Sequence, residues 1–156
     1  MPTQDLFDRY AELAVRVGAN VAPGQDVFVN CFVEHAPLVR TIARAAYAAG
    51  ARYVDVQYSD LWLRRELIAG APEDMLGWSP PWLVKRAEEL GSRNGAIISI
   101  TGEPEPDLLA DLDQDRVGKA RAVQLQTEYL RIVTEGLANW VVIACATDGW
   151  ARSVFG

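Results

Sequence analysis

The chain has 156 residues, of which half are apolar and 23% are charged, and this is enough for one globular domain with its own hydrophobic core. A net charge of −6 argues against nucleic acid as a partner, because binding to phosphates requires a clustered basic surface. No apolar run approaches the roughly 18 residues of a membrane helix, and residues 1–5 lack the basic and apolar regions of a secretory signal. We therefore expect a cytoplasmic protein with neither nucleic-acid nor membrane partners.

The first part of the chain predicts two helices and two strands in alternation. Apolar residues at helical spacing begin at Leu6, and Gly18 is expected to end this helix in a left-handed cap. Residues 27–32 form a nearly continuous apolar run, which is typical of a parallel strand covered on both faces. The next helix is expected to stop at Gly50. Residues 53–58 alternate between apolar and polar side chains, which predicts an edge or half-covered strand.

A long connection separates the second strand from the third. Its predicted helices cover residues 62–69 and 80–91, and the second of them is expected to be closed by Gly91. The third and fourth strands are predicted at residues 96–100 and 140–146. These assignments leave residues 101–139 to connect the last two strands.

That last connection predicts one long helix. Asp113 is expected to cap its first turn, and the helix is expected to end before Gly136. Apolar spacing places Val123 and Leu130 on its buried side. Together with the preceding elements, this helix completes an alternation of strands and helices along the whole chain.

The alternation predicts an α/β fold with a small parallel four-stranded sheet. Right-handed crossovers would wind the chain doubly, in the Rossmann-like or flavodoxin-like manner, with helices on both faces. We expect the strand order 2-1-3-4 and a single α/β domain over residues 1–156. Cys31 and Cys145 lie in apolar strand-like runs, so we expect reduced core residues rather than a disulfide.

Ligands of doubly wound sheets bind beyond the carboxyl ends of the strands. The segment after the first strand, residues 34–37, contains no glycine that would let the main chain approach a pyrophosphate. The chain also lacks a phosphate-binding Gly-Lys-Ser/Thr loop. The sequence therefore disfavours a nucleotide cofactor.

Several polar side chains at the expected strand ends could nevertheless carry chemistry. Glu34 and His35 could bind a metal ion or transfer a proton, but a single histidine favours a capping or solvated side chain. Asp60 could orient a substrate, although a helix cap is the simpler role. Glu103 and Glu105 could form a paired-carboxylate site, although a solvated acidic loop is simpler. We assign none of them to a catalytic, metal or cofactor site.

The long connection is also rich in tryptophan, with Trp62, Trp78 and Trp82. Each of them alone could simply cover the sheet. Together they supply more aromatic surface than a crossover requires, and exposed tryptophan clusters mark interfaces. We therefore expect at least two of the three to be exposed, or covered only by another chain.

Several stretches resemble, in the same order, the N-terminal domain of the thermophilic-type metalloaminopeptidases, the family of aminopeptidases T and S. They are residues 6–24, 45–54, 58–60, 101–104 and 140–155. Residues 101–104 are similar to the family's Gly-Glu-acid-Pro turn, with Pro104 where an acidic residue is common. The final stretch is similar to the family's Trp-Ala-x-x-Val-Phe segment.

The resemblance implies a cytoplasmic exopeptidase that removes N-terminal residues from peptides with two divalent metal ions, such as zinc or cobalt, and forms a homodimer. In this family the metal ligands and the catalytic tyrosine belong to the C-terminal half, so no such role is transferred to these residues. The chain would be the N-terminal portion of a two-domain protein, with a C-terminal catalytic domain as its partner. It would contribute cavity wall and dimer contacts. The alternative is a stand-alone, non-catalytic α/β binding or interaction module.

Overall fold

A parallel sheet of four strands lies at the centre of the fold, as the sequence predicts. A computed structural model describes residues 4–156. The strands are β1 (Asp26–Phe32), β2 (Tyr53–Ser59), β3 (Ala96–Thr101) and β4 (Asn139–Ala144). Their order across the sheet is β2-β1-β3-β4, which confirms the predicted order. The segment of residues 1–5, considered above for a signal, lies partly outside the described residues.

Helices surround the sheet and connect its strands. They are α1 (Gln4–Glu12), α2 (Ala36–Ala48), α3 (Leu61–Gly70), α4 (Pro81–Ser92), α5 (Gln114–Lys119), α6 (Val123–Thr134) and α7 (Asp148–Phe155). A π-helical turn, Leu13–Gly18, continues α1, and short 3₁₀ turns cover Val33–His35 and Glu73–Met75. Between residues 4 and 156, the structure contains no helix of the length and apolarity needed to cross a membrane.

The front face of the sheet, defined as the side that carries Val27, Val29 and Ile98, holds the larger hydrophobic cluster. α1, the π-helical turn and α2 cover this side. Their apolar side chains that are buried against the strands include Ala11, Val15, Leu38, Val39, Ile42 and Ala46. Burial of a valine, leucine or isoleucine side chain stabilises a fold by about 1.5–3 kcal/mol. The front is therefore the main source of stability.

The back face, defined as the side that carries Phe28 and Ile97, holds a smaller cluster. α4 and α6 cover it, and Ile132 of α6 is fully buried there. Phe28 stacks on the ring of Tyr129 with their centroids 5.4 Å apart. Helices thus lie on both faces, which confirms the doubly wound arrangement.

The end of the first helix differs from the prediction. Gly18 forms no left-handed cap but lies inside the π-helical turn, and the residue with positive φ is Asn20 at 46°. A Cβ on Gly18 would lie 2.8 Å from Cγ2 of Val141, so glycine here allows close contact with β4. By contrast, the positive φ of 93° at Gly50 confirms the predicted stop of α2.

α4 ends beyond the residue at which the sequence predicts its stop. Gly91 is buried within the helix, and the positive φ of 50° occurs at Asn94. A Cβ on Gly91 would lie 3.0 Å from Cγ1 of Ile132, so this glycine brings α4 close to α6. Both misassigned glycines therefore serve packing rather than chain reversal.

The prediction of a single long helix after Asp113 is wrong, because two helices, α5 and α6, occupy this segment. Asp113 does cap a helix, because its carboxylate accepts from the main-chain N–H groups of residues 115 and 116, but α5 is short. The helix is interrupted at residues 120–122, and α6 begins at Val123. The break changes the phase of the apolar pattern, so Val123 and Leu130 are exposed rather than buried.

Both cysteines are free thiols, as expected. Cys31 is buried on the front face, and burial raises the pKa of its thiol to about 11. Cys145 is half-buried just after β4, and burial raises its pKa as well. A thiol with a raised pKa holds little reactive thiolate at neutral pH, so neither residue is an activated nucleophile.

Candidate functional site

A cleft of about 400 Å³ lies beyond the carboxyl ends of the strands. Its walls are Phe7, Glu34, His35, Pro37, Leu38, Pro104, Glu105, Cys145, Ala146, Thr147, Asp148, Gly149 and Arg152. The cleft borders the gap between β1 and β3, where the connections from neighbouring strands leave in opposite directions. Open α/β sheets bind ligands at this kind of position.

His35 lies buried at the base of the cleft rather than in solvent. The Phe32 N–H donates to its Nδ1 atom at 3.3 Å, and Nε2 lies 3.2 Å from the Gly102 carbonyl oxygen. Because Nδ1 accepts a hydrogen bond, Nε2 carries the proton and donates to Gly102. Burial lowers the pKa of the ring, against a weaker opposing effect of main-chain hydrogen bonds. The neutral imidazole therefore joins β1 to the loop after β3.

The loops after β3 and β4 are in direct main-chain contact. Gly102 has a φ of 124°, and a Cβ there would overlap the carbonyl oxygen of Cys145. A Cβ on Gly149 would likewise overlap the carbonyl oxygen of Pro104. The Thr147 hydroxyl donates to the Glu103 carbonyl at 3.2 Å. These contacts hold one wall of the cleft in a defined position.

The cleft carries more negative than positive charge. Glu34, Glu105 and Asp148 supply carboxylates, and Arg152 supplies a guanidinium. The side chain of Glu103 is exposed and does not line the cleft, so the structure does not bring Glu103 and Glu105 together as a catalytic pair there. This arrangement agrees with the solvated acidic loop favoured from the sequence.

A second groove, of about 460 Å³, adjoins the cleft along α7. Trp62, Glu105, Leu108 and Arg152 are among its walls. The Asp60 carboxylate accepts from the N–H groups of Trp62 and Leu63 at 2.8 and 3.2 Å, so Asp60 caps α3. The simpler of its two predicted roles is thus the observed one.

The three tryptophans of the long connection are all exposed, as predicted. The exposed fractions are 57% for Trp62, 45% for Trp78 and 64% for Trp82. Trp78 and Trp82 pack edge to face with ring centroids 5.4 Å apart, whereas Trp62 borders the groove beside α7. Trp78 and Trp82 thus form one aromatic pair, and Trp62 belongs to the rim of the groove.

Sequence reasoning missed two contributors to the cleft. Phe7 of α1 and Arg152 of α7 line it, although they belong to the first and last helices of the described chain. No local sequence pattern indicates such contacts, because they depend on how distant elements pack.

The sheet order, the helices on both faces and the cleft at the strand ends define a doubly wound α/β protein. The chain matches the family model described as thermophilic metalloprotease (M29) over residues 3–156. It belongs to this family.

Curated relatives and a solved structure share this similarity. Aminopeptidase 2 of Geobacillus stearothermophilus is 40% identical over 152 residues, covering 96% of this chain and 37% of the relative. Aminopeptidase T of Thermus thermophilus is 35% identical over 151 residues, with the same coverage. The structure of wild-type AmpT from Thermus thermophilus matches with a TM-score of 0.88 at 34% identity, covering 97% of this chain and 38% of that one. The chain thus spans little more than a third of the length of these relatives.

A metalloprotease family implies a metal centre somewhere in the whole protein. Within residues 4–156, no group of three or more His, Cys, Asp or Glu side chains is placed to hold a metal ion. His35 uses both ring nitrogens in contacts with the main chain. These residues therefore do not fit a metal centre.

Proposed function

We propose that residues 1–156 are the N-terminal domain of a two-domain, metal-dependent aminopeptidase that releases N-terminal residues from peptides in the cytoplasm. The observation that carries the proposal is the family match over residues 3–156, together with coverage of about 37% of relatives named aminopeptidases. In this proposal the C-terminal catalytic domain holds two divalent metal ions, such as zinc or cobalt. Residues 1–156 hold neither the metal ions nor the catalytic groups.

The cleft at the strand ends suits a wall of the active-site cavity. Its main-chain contacts at Gly102 and Gly149 and the buried ring of His35 support a defined shape. The carboxylates and Arg152 that line it supply polar contacts for a peptide. A pre-organised wall orients a substrate without ordering further residues on binding.

The exposed tryptophans suit the second proposed role, which is contact within a homodimer. Trp78 and Trp82 form an aromatic pair at the surface, and Trp62 lies exposed beside α7. Tryptophan is enriched among the residues that dominate interface energies. In the proposal these side chains are covered in the assembled enzyme.

A chimera tests the proposed activity. Residues 1–156 replace the matching segment of aminopeptidase 2 from Geobacillus stearothermophilus, and hydrolysis of aminoacyl-p-nitroanilides is measured. We expect activity that a chelator abolishes and zinc or cobalt restores, while the 156-residue chain alone stays inactive. Activity of the purified chain alone, after chelation and remetallation, would place the chemistry in these residues and contradict the proposal. A folded chimera that binds metal but hydrolyses nothing would contradict the cavity-wall role.

The dimer role is tested by molar mass in the same chimera. Trp78→Ala combined with Trp82→Ala is expected to shift the enzyme towards monomer in sedimentation experiments. Val123→Ala, which also truncates an exposed apolar side chain, is the matched control. An unchanged molar mass in the double variant would mean that these tryptophans do not belong to the dimer interface.

A further inference from the structure

The two edges of the sheet are protected to different degrees. On β2, Asp55 forms an ion pair with Arg86 at 3.6 Å, and the Val54 N–H donates to the Tyr47 hydroxyl at 3.2 Å. β4, in contrast, reads Asn-Trp-Val-Val-Ile-Ala and carries no charged side chain. Edge strands without charges or prolines are templates for pairing with another strand.

The outward main-chain groups of β4 can be identified from its hydrogen bonds. The N–H groups of Asn139 and Cys145 donate to carbonyls on the β3 side at 3.0 and 2.8 Å. Because main-chain groups alternate in direction along a strand, those of Trp140, Val142 and Ala144 point away from β3. β4 therefore presents the groups of three residues at its outer edge.

One of these three residues already has a partner. The Tyr10 hydroxyl donates to the Ala144 carbonyl at 2.8 Å and accepts from its N–H at 3.2 Å. In the part of the chain that the structure describes, no strand pairs with the outward groups of Trp140 and Val142. The open edge is thus short, and Tyr10 marks its end.

Apolar side chains flank the open edge at the back. Trp140 and Val142 point to the back face, in register with Ile97 and Ser99 of β3, and are 51% and 55% exposed. The cluster on this face takes sheet residues from β1 and β3 but none from β4. The covering helices therefore stop short of β4.

Apolar side chains flank the edge at the front as well. Leu13 and Val17 of the π-helical turn are 55% and 71% exposed. Asp8, which forms an ion pair with Arg44 of α2 at 3.3 Å, marks the side of α1 that faces α2. Tyr10, Leu13 and Val17 recur at helical spacing on the opposite side, and Tyr10 reaches the edge of β4.

We propose that β4 is an interior strand in the full-length protein and that one further β-strand pairs with the outward groups of Trp140 and Val142. This strand is uncharged and apolar on both faces, so its side chains cover Leu13 and Val17 at the front and Trp140 and Val142 at the back. It comes from the same polypeptide, because the relatives are much longer than this chain. Pairing within one polypeptide also avoids bringing together two chains of net charge −6. The inference rests on the proposed two-domain protein.

Amide hydrogen exchange tests the inference in the isolated chain and in the chimera described above. The Trp140 and Val142 amides are expected to exchange about tenfold or more slowly in the chimera than in the isolated chain. The Val141 amide faces β3 and is the internal control, protected in both proteins. Equally fast exchange at Trp140 and Val142 in both proteins overturns the proposal. Protection in the isolated chain that grows with concentration identifies a second copy as the partner and also overturns it.

Proline substitution provides a second test. Val142→Pro removes only an outward N–H, so the isolated chain is expected to fold while the chimera loses thermal stability. Val141→Pro removes a hydrogen bond to β3 and is expected to unfold both proteins. If Val142→Pro unfolds the isolated chain, Val142→Lys replaces it, since an exposed lysine is tolerated at an open edge but not in contact with the apolar side chains of a neighbouring strand. A chimera as stable with Val142→Lys as without it contradicts the inference.

The two proposals fail in different ways. An active chimera with unprotected amides at Trp140 and Val142 refutes only the additional strand. An inactive chimera in which these amides are protected refutes only the proposed activity.

Discussion

The front and back faces of the sheet differ in how completely they are covered. On the front, α1, the π-helical turn and α2 extend from β2 to β4, and Val141 and Ile143 pack against the same cluster. On the back, α4 and α6 cover β1 and β3 but leave Trp140 and Val142 of β4 exposed. One sheet therefore combines a closed core with a half-open one. The comparison shows that a strand can pack against the core on one face while its other face remains available for contacts.

The largest losses of stability on the two faces are expected at two neighbouring residues of β3. Ile98 is fully buried on the front, and Ile97 is slightly exposed on the back. Ile98→Ala is expected to destabilise the fold by about 3–4 kcal/mol and Ile97→Ala by about 2–3 kcal/mol, since a partly open site collapses more easily around a cavity. Urea unfolding followed by circular dichroism measures both. Equal losses, or a larger loss at Ile97, would contradict the unequal covering.

The next largest loss of stability is expected from replacing a glycine, and each face of the sheet has one that contacts a neighbouring element closely. Gly18→Ala forces a methyl group against Val141, whose branched side chain has few alternative rotamers, and is expected to cost about 1–3 kcal/mol. Gly91→Ala would bring a methyl group to 3.0 Å from Cγ1 of Ile132, a less severe approach than the 2.8 Å at Gly18, and gains about 1 kcal/mol of helix propensity, so it is expected to be nearly neutral. Thermal unfolding of the two variants checks the difference. A Gly91 variant that is the less stable of the two would reverse the comparison.

Stability is also expected to depend on pH through His35, which lies where the front core meets the cleft. Burial holds its pKa below the ordinary value of 6.5, so the unfolded chain binds a proton more readily than the folded one. The stability that the neutral His35 ring contributes to the fold is fully present above about pH 6.5 and is lost progressively as the pH falls below that value. Unfolding free energies between pH 7.5 and about 5 measure the slope. His35→Gln should flatten the slope, and an equally steep slope in that variant would assign it to other groups.

The smallest effect is expected at the open part of the back face. Val142→Thr changes an exposed side chain and keeps a branched residue in the strand, so the isolated chain should change by no more than about 0.5 kcal/mol. Sedimentation should show an unchanged mass. A loss above about 1 kcal/mol would mean that another chain covers this side chain in solution.

Most of the architecture could be predicted from the sequence because the strands have recognisable patterns of apolar residues. β1 and β3 are nearly continuous apolar runs, and β2 alternates polar and apolar residues, which is typical of a strand at the edge. The chain reversal at Gly50 was also predictable, because a positive φ favours glycine. The fold class followed from these local signals, whereas local signals do not determine the order of the strands across the sheet.

The break between α5 and α6 could not be predicted in the same way. Residues 120–122 are Ala-Arg-Ala, all good helix formers, and the nearest poor helix former, Gly118, lies within α5 rather than at the break. The break is accompanied by contacts elsewhere, since Arg116 donates to the carbonyls of Ile68 and Ala71 at 2.7 Å. These tertiary contacts hold α5 against the end of α3, and they involve residues more than forty positions apart.

The candidate site was predictable in its place but not in its details. Parallel strands put their carboxyl ends together, which is where the cleft lies. The burial of His35 was not visible, because its partner Gly102 is 67 residues away. A histidine at the start of a helix looks the same in sequence whether solvent or a distant carbonyl faces it.

The contact between the first helix and the last strand has a consequence for synthesis of the chain. Tyr10 binds Ala144, 134 residues later, and Asn139 donates to the carbonyl of Asn20, 119 residues earlier. A ribosome that adds 5–20 residues per second needs on the order of ten seconds to make that interval. α1 therefore leaves the ribosome long before the strand on which it docks. For that time the apolar side of the newly made helix has no β4 to cover it, and it is available to any factor that binds nascent chains.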